Sequence, residues 1–263
     1  MFDPRDLTLA LEDLATVPHG LDLVIAIHGF VDAGAAAEAA AAAILDTLPH
    51  RSIVEFDTDI LIDHRSRRPR ILFNEDKIEE YLPHSLTLLV VEDDAGAPFL
   101  LLTGPEPDWM WERFTDALLE LMERLDVAST TIITSIGMPV PHTRPLVSTV
   151  SGNRAELIEQ YSAWRPVSQV PASVIHRIEH RLHGIAPVTT FTVLVPHYVG
   201  ESGSAGPALA ALEGVLFVAS RAMTVTEVSS AAYTIKPPTD LLLACAGRGH
   251  TEMHVAIRVN AIA

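Results

Sequence analysis

One cysteine, two lysines and 6% aromatic residues mark what this 263-residue chain does without. A single thiol, Cys245, closes no internal disulfide and builds no cysteine-rich zinc site. Lysine occurs only at 77 and 236 while alanine and arginine abound, an imbalance that points to a GC-rich genome rather than to a functional choice. No apolar run reaches the roughly 18 residues a membrane span needs, because Asp, Arg or His interrupts each one. The opening MFDPRDLTLALEDL carries early acids and no apolar core, so it does not read as a secretory signal. Positive charge is scarce too. A net charge of −16 repels phosphate backbones and argues against a nucleic-acid partner. The expectation is a cytoplasmic protein that touches neither membrane nor nucleic acid.

What is present is apolar: 48% hydrophobic residues and a mean hydropathy of +0.26 suffice for a real core and exclude a disordered chain. The length fits one large α/β domain or two smaller ones. Leu21–Ile27, apolar apart from Asp22 and bounded by turn residues, reads as a strand buried on both faces. Asp32 then makes a good helix cap, and nine alanines between Ala33 and Ala43 favour a helix that lies close to the sheet. The spacing predicts a short helix over Asp6–Leu14 and strands at Arg51–Ile62, Arg70–Phe73, Ser85–Glu92 and Pro98–Thr103. The last two form a hairpin across Asp93–Gly96. Met110, Phe114, Leu118, Leu121, Met122 and Leu125 keep helical spacing. A strand at Thr130–Ile136, helices at Asn153–Ala163 and Ala172–His183, and a strand at Val188–Val195 follow. Alternating strands and helices imply an α/β fold, a mixed, largely parallel sheet with helices on both faces and a three-layer core like that of phosphorylases and hydrolases.

Several clusters invite chemistry. The turn from Gly29 to Gly34, with Phe30 and Asp32 inside it, precedes a helix N-terminus that presents free N–H groups. It lacks the Lys-Ser/Thr of a P-loop and the third glycine of a dinucleotide site, and Asp32 puts a carboxylate where a phosphate would sit. No G-x-S-x-G elbow accompanies His28-Gly29-Phe30, so the hydrolase reading fails. Arg65, Arg67, Arg68 and Arg70 form a basic loop, which suits an anionic ligand or the acidic residues of its own or a neighbouring subunit. His142, Thr143 and Arg144 sit where open α/β sheets place ligands. His176-Arg-Ile-Glu-His180 matches H-x-x-E-H, a zinc pattern, although a solvated helix face explains the same residues. No catalytic constellation emerges, and no cofactor is implied.

The segments HGFVDAG, DHRSRRPR, TGPEPDWMWERF and GMPVPHTRP, in this order, resemble the PAC2 family, proteins similar to the proteasome assembly chaperones, and its actinobacterial branch in particular. The resemblance covers roughly 21–198. It implies an α/β core, self-association as a homo-oligomer, a chaperone-like role with proteasome subunits as partners, and no catalytic residue. After residue 200 the resemblance ends and only nine charged residues remain. The domain reading is therefore a 1–200 core and a 201–263 segment, helical or irregular, from a divergent tail or a change of reading frame. Some relatives end in a hydrophobic-Tyr-X signal for the proteasome, which Ala261-Ile262-Ala263 does not reproduce. The leading expectation is a self-associating interaction or assembly module. The alternative is an enzyme or anion binder that uses the first turn with the His142–Arg144 corner.

Overall fold

The computed structural model describes residues 4–141, 145–198, 207, 210–211, 224–232 and 254–260. Its centre is an eight-stranded sheet whose strands lie in the order β1 (Thr8–Ala10), β3 (His50–Phe56), β6 (Leu86–Glu92), β7 (Pro98–Pro105), β2 (Leu23–His28), β8 (Thr130–Met138), β10 (Val188–Pro196) and β9 (Ser148–Gly152). The strands β7, β2, β8 and β10 run parallel in the middle, and antiparallel strands flank them on both sides. Leu23–Ile27 of β2 and Leu100–Leu102 of β7 are buried apolar runs, because a strand covered on both faces has no polar side to alternate with.

Helices cover both faces. On one, α1 (Ala36–Thr47) lays Ala36, Ala37, Ala40, Ala41 and Ile44 on Val24, Ala26, Leu101 and Ile133. On the other, α3 (Trp111–Arg124) and α5 (Val174–Leu182) bury Phe114, Leu118, Leu121 and Ile178 against Ile25, Leu102 and Ile132. Phe56 and Phe114 meet edge to face at 4.8 Å inside this second layer. Two interhelical pairs, Arg177–Glu112 and Arg181–Asp116, fix α5 beside α3. A shorter helix, α4 (Ala155–Tyr161), packs Leu157 against Val150 and Phe191 near the β9 edge.

Where the expectations differ from the structure, local chemistry explains most of it. The strand read as Arg51–Ile62 stops at Phe56, because Asp57 caps a single helical turn, α2 (Thr58–Leu61), accepting from the Asp59 and Ile60 amides. The lead-in forms a 3-10 turn at Pro4–Leu7 and the edge strand β1 instead of a helix over Asp6–Leu14. The hairpin of β6 and β7 stands as expected, its turn held by Asp93 Oδ1 accepting from Ala95 and Ala97 at 2.8 Å. Besides β1, the strand β9 was not anticipated, nor was β5 (Lys77–Leu82), which pairs with β4 (Arg70–Asn74) in a hairpin outside the main sheet.

In the segment expected to be helical or irregular, β11 (Thr224–Ala232) and β12 (His254–Asn260) pair antiparallel in a sheet of their own. Just before them, buried Ala211 and half-buried Ala210 pack on the α1 face. A Cβ on Gly34 would lie 3.2 Å from Pro207.

Candidate functional site

The carboxyl ends of β2 and β7 are tied together by one residue, Glu106, which follows β7 and is 7% exposed. Its amide donates to the His28 carbonyl at 2.7 Å, extending the parallel pairing by one step. Its side chain accepts two backbone N–H groups, Val174 onto Oε1 at 2.7 Å and Phe30 onto Oε2 at 3.1 Å. One carboxylate thereby joins the β2 exit, the β7 exit and the first turn of α5. Gly29 is required here, since a Cβ would stand 2.6 Å from Glu106 Cβ. The sequence offers one faint sign of this residue, an acid between two prolines directly after an apolar strand. The groups it serves lie 76 and 68 positions away, so no spacing reveals it.

Around this staple gather several of the residues singled out from the sequence. Arg67 donates to the Glu106 carbonyl and to the Asp108 carboxylate, whose other oxygen accepts the Asp63 amide at 2.7 Å. Its own carbonyl lies 2.9 Å from His84 Nε2, and the His84 ring is 5.9 Å from that of His64. His28 is mostly buried, and its Nδ1 has no hydrogen-bond partner. Burial pushes the His28 pKa down, and Arg67 and His84 push the same way, against the carboxylates of Glu38 and Asp32.

Asp32 takes the role expected of it, displaced by one turn. Gly34 (φ 72°) and Ala35 (φ 52°) are both left-handed, so α1 starts at Ala36. The Asp32 carboxylate reaches forward to accept the Ala37 amide at 2.7 Å and the Glu38 amide at 3.2 Å. Ser135 Oγ also donates to it, at 3.2 Å. Burial raises the Asp32 pKa against these three hydrogen bonds. The amides at the helix start are thus already bonded to the chain's own carboxylate.

The remaining candidates scatter. Phe30 is exposed beside the staple. Arg65, Arg68 and Arg70 are exposed and form no ion pair among the described residues, unlike Arg67. His142, Thr143 and Arg144 lie outside the described residues. His176 Nδ1 accepts the Ser173 amide at 2.9 Å in a cap of α5, and His180 Nδ1 lies 3.3 Å from Arg177 Nη1. No group of three or more metal-ligating side chains occurs among the described residues.

A different kind of site stands beside the staple. The β4–β5 hairpin leaves Ile71, Leu72, Phe73, Ile78, Tyr81 and Leu82 exposed. Ile71 faces Tyr81 and Phe73 faces Ile78 in register, so these four share one side. An isolated two-stranded hairpin is at best marginally stable in water, and exposed apolar patches of several hundred Å² mark interaction surfaces. Between the hairpin base and the sheet edge opens a cleft of about 530 Å³, walled by Asp6, Glu55, Asp57 and Asp59 with Tyr81 and His84.

The family model described as PAC2 family matches residues 26–250. The chain belongs to the PAC2 family. The match runs past Tyr198, where the resemblance in the sequence ended. Among solved structures, a Mycobacterium tuberculosis protein of unknown function is 37% identical, with a TM-score of 0.77 over 81% of this chain and 76% of that one. A Corynebacterium glutamicum protein of unknown function is 34% identical, with a TM-score of 0.74 over 80% of each chain. A second M. tuberculosis protein, described as a proteasome-assembly chaperone homologue, is 26% identical, with a TM-score of 0.70 over 76% of this chain and 86% of that one. PAC2 relatives from actinobacteria thus surround this chain. No curated protein matches it. Among the described residues, no helix is long and apolar enough to cross a membrane.

Proposed function

We propose that this PAC2 protein is a cytoplasmic, self-associating protein-interaction module of the assembly-chaperone kind, with proteasome subunits as candidate partners. The observation that carries this reading is the β4–β5 hairpin, which presents large apolar side chains away from the core. The likeness to a proteasome-assembly chaperone homologue supplies the candidate partner. A surface built to hold a protein spends apolar area on solvent, whereas a catalytic site gathers polar groups in a concave pocket. The polar groups gathered at the strand ends here are mostly bonded to the chain's own backbone.

The test is a pull-down from the native cell under mild conditions, with the full chain and with a Phe73→Asp/Ile78→Asp variant. Proteasome subunits retained by the first and lost by the second are the expected result. Recovery of no proteasome subunit, and of no stable partner except the chain itself, would sink the assembly role.

A further inference from the structure

Among the described residues the loop 63–69 is moored to the rest of the protein at a few points, several of them made by Arg67. Its guanidinium donates to the Glu106 carbonyl and to the Asp108 carboxylate, whose other oxygen holds the Asp63 amide. His84 Nε2 donates to the Arg67 carbonyl at 2.9 Å. The hairpin starts at Arg70, so its first strand takes its footing from this loop. His28, at the end of β2, stands next to the mooring: the Glu106 amide donates to the His28 carbonyl, and the Glu106 carbonyl accepts from Arg67. We propose that His28 is an acid-operated latch, whose protonation drives Arg67 from its seat on Glu106 and Asp108 and frees the 63–69 loop while the sheet stays folded. This inference goes beyond the interaction reading and does not depend on which partner the hairpin takes.

The geometry leaves a charged ring no place. His28 Nδ1 is shut off from water and meets no hydrogen-bond partner. A protonated imidazole carries N–H on both nitrogens, so one donor would be buried without an acceptor. The charged and titratable groups that face the ring come from four segments of the chain. Arg67 of the loop and His84 of the segment before β6 oppose a positive charge, whereas Glu38 of α1 and Asp32 of the turn before it favour one. The Asp32 carboxylate is taken up by the Ala37 and Glu38 amides and by Ser135, and the Glu106 carboxylate by the Phe30 and Val174 amides. Burial, helped by Arg67 and His84, prevails over the two carboxylates, and the docked loop holds His28 below its ordinary pKa of 6.5.

Of these groups Arg67 is the one free to leave. It sits on an irregular loop between the exposed Ser66 and Arg68 and is itself partly exposed, whereas His28 is locked into the β2–β7 ladder and Glu38 into α1. Its departure removes a positive charge from the ring and lets water in, so the released form binds the proton more tightly. Acid therefore favours release. The effect fades above pH 6.5 and grows as the pH falls below it, by up to about tenfold per pH unit.

Native-state hydrogen exchange of the full chain between pH 7.5 and pH 5, corrected for the intrinsic pH dependence of exchange, tests this. The Asp63 and Arg67 amides, bonded to Asp108 Oδ2 and to the Asp63 carbonyl, report on the loop. The Leu23 and Thr130 amides, bonded at the other end of the parallel strands, report on the sheet. By pH 5.5 the loop amides should lose at least about threefold of their protection, with the sheet amides the better protected throughout, the mark of local release. His28→Gln, whose side chain takes up no proton in this range, should flatten the loop response, while His84→Gln and His64→Gln should keep it. On the unaltered chain, which needs no variant to fold, the response should set in as the pH passes about 6.5. A loop response that His28→Gln retains, equal protection and equal losses in loop and sheet, or an onset only below about pH 5, where carboxylates titrate, would each overturn the latch.

Discussion

Replacing Glu106 with Gln preserves shape and size and removes one acceptor. The carboxylate serves two backbone donors from opposite oxygens, and a carboxamide offers one oxygen only. The amide should turn its oxygen to Val174, whose contact is the shorter and the more buried, and set its NH2 against the Phe30 N–H. One hydrogen bond to a charged group, worth about 1.5–3 kcal/mol, is lost, and the Phe30 donor beside the buried carboxamide is left facing another donor. The net destabilisation should be about 2–3 kcal/mol. With a urea m-value of about 2–3 kcal/mol/M, the unfolding midpoint falls by about 1 M. Native-state hydrogen exchange separates this account from a general loosening, because the Phe30 amide should exchange faster while Val174 keeps its protection. A midpoint shift worth less than about 0.5 kcal/mol, or equal deprotection of both amides, would refute the reasoning.

Two further outcomes follow from the same geometry. His28 has its pKa lowered by burial, so between its folded value and 6.5 the unfolded chain binds more protons than the folded one. Its contribution to stability is therefore intact above pH 6.5 and is lost as the pH falls below it; His28→Gln should shrink the drop in melting temperature between pH 7.5 and pH 5, and an unchanged drop would remove His28 from the account. Phe56→Ala, at a position 1% exposed and edge to face with Phe114, should cost about 3–5 kcal/mol, whereas Phe73→Ala on the hairpin should cost under about 1 kcal/mol in the monomer. Equal losses in urea unfolding would contradict the placement of the hairpin outside the core.

The central strands were legible because burial on both faces leaves an unbroken apolar run, as in Leu23–Ile27 of β2. The α3 pattern was legible for the complementary reason, one face inward and one in water. The edges were not. In β9, Ser148–Gly152, only Val150 is buried, and a single inward residue makes no periodicity. In β5 the apolar residues Ile78, Tyr81 and Leu82 are set among charges and reach no core, so a pattern that assumes burial misreads them. The Asp57 cap was visible in the letters but was outweighed by the apolar residues on either side of it. The role of Glu106 left only a faint sign because its partners are backbone amides, which every residue but proline supplies.

The inner side of α1 is paved almost entirely with methyl groups. A surface so smooth has shallow ridges and grooves, and it opposes separation from the sheet far more than sliding along it. The axial position of this helix is therefore assigned to its end, where Asp32 grips the Ala37 and Glu38 amides and is itself bonded to Ser135 of β8. A slip of one residue would carry the helix about 1.5 Å along its axis at little packing cost. Asp32 is thus a detent: it gives a slippery element one resting place, and the neighbouring strand decides where that place lies.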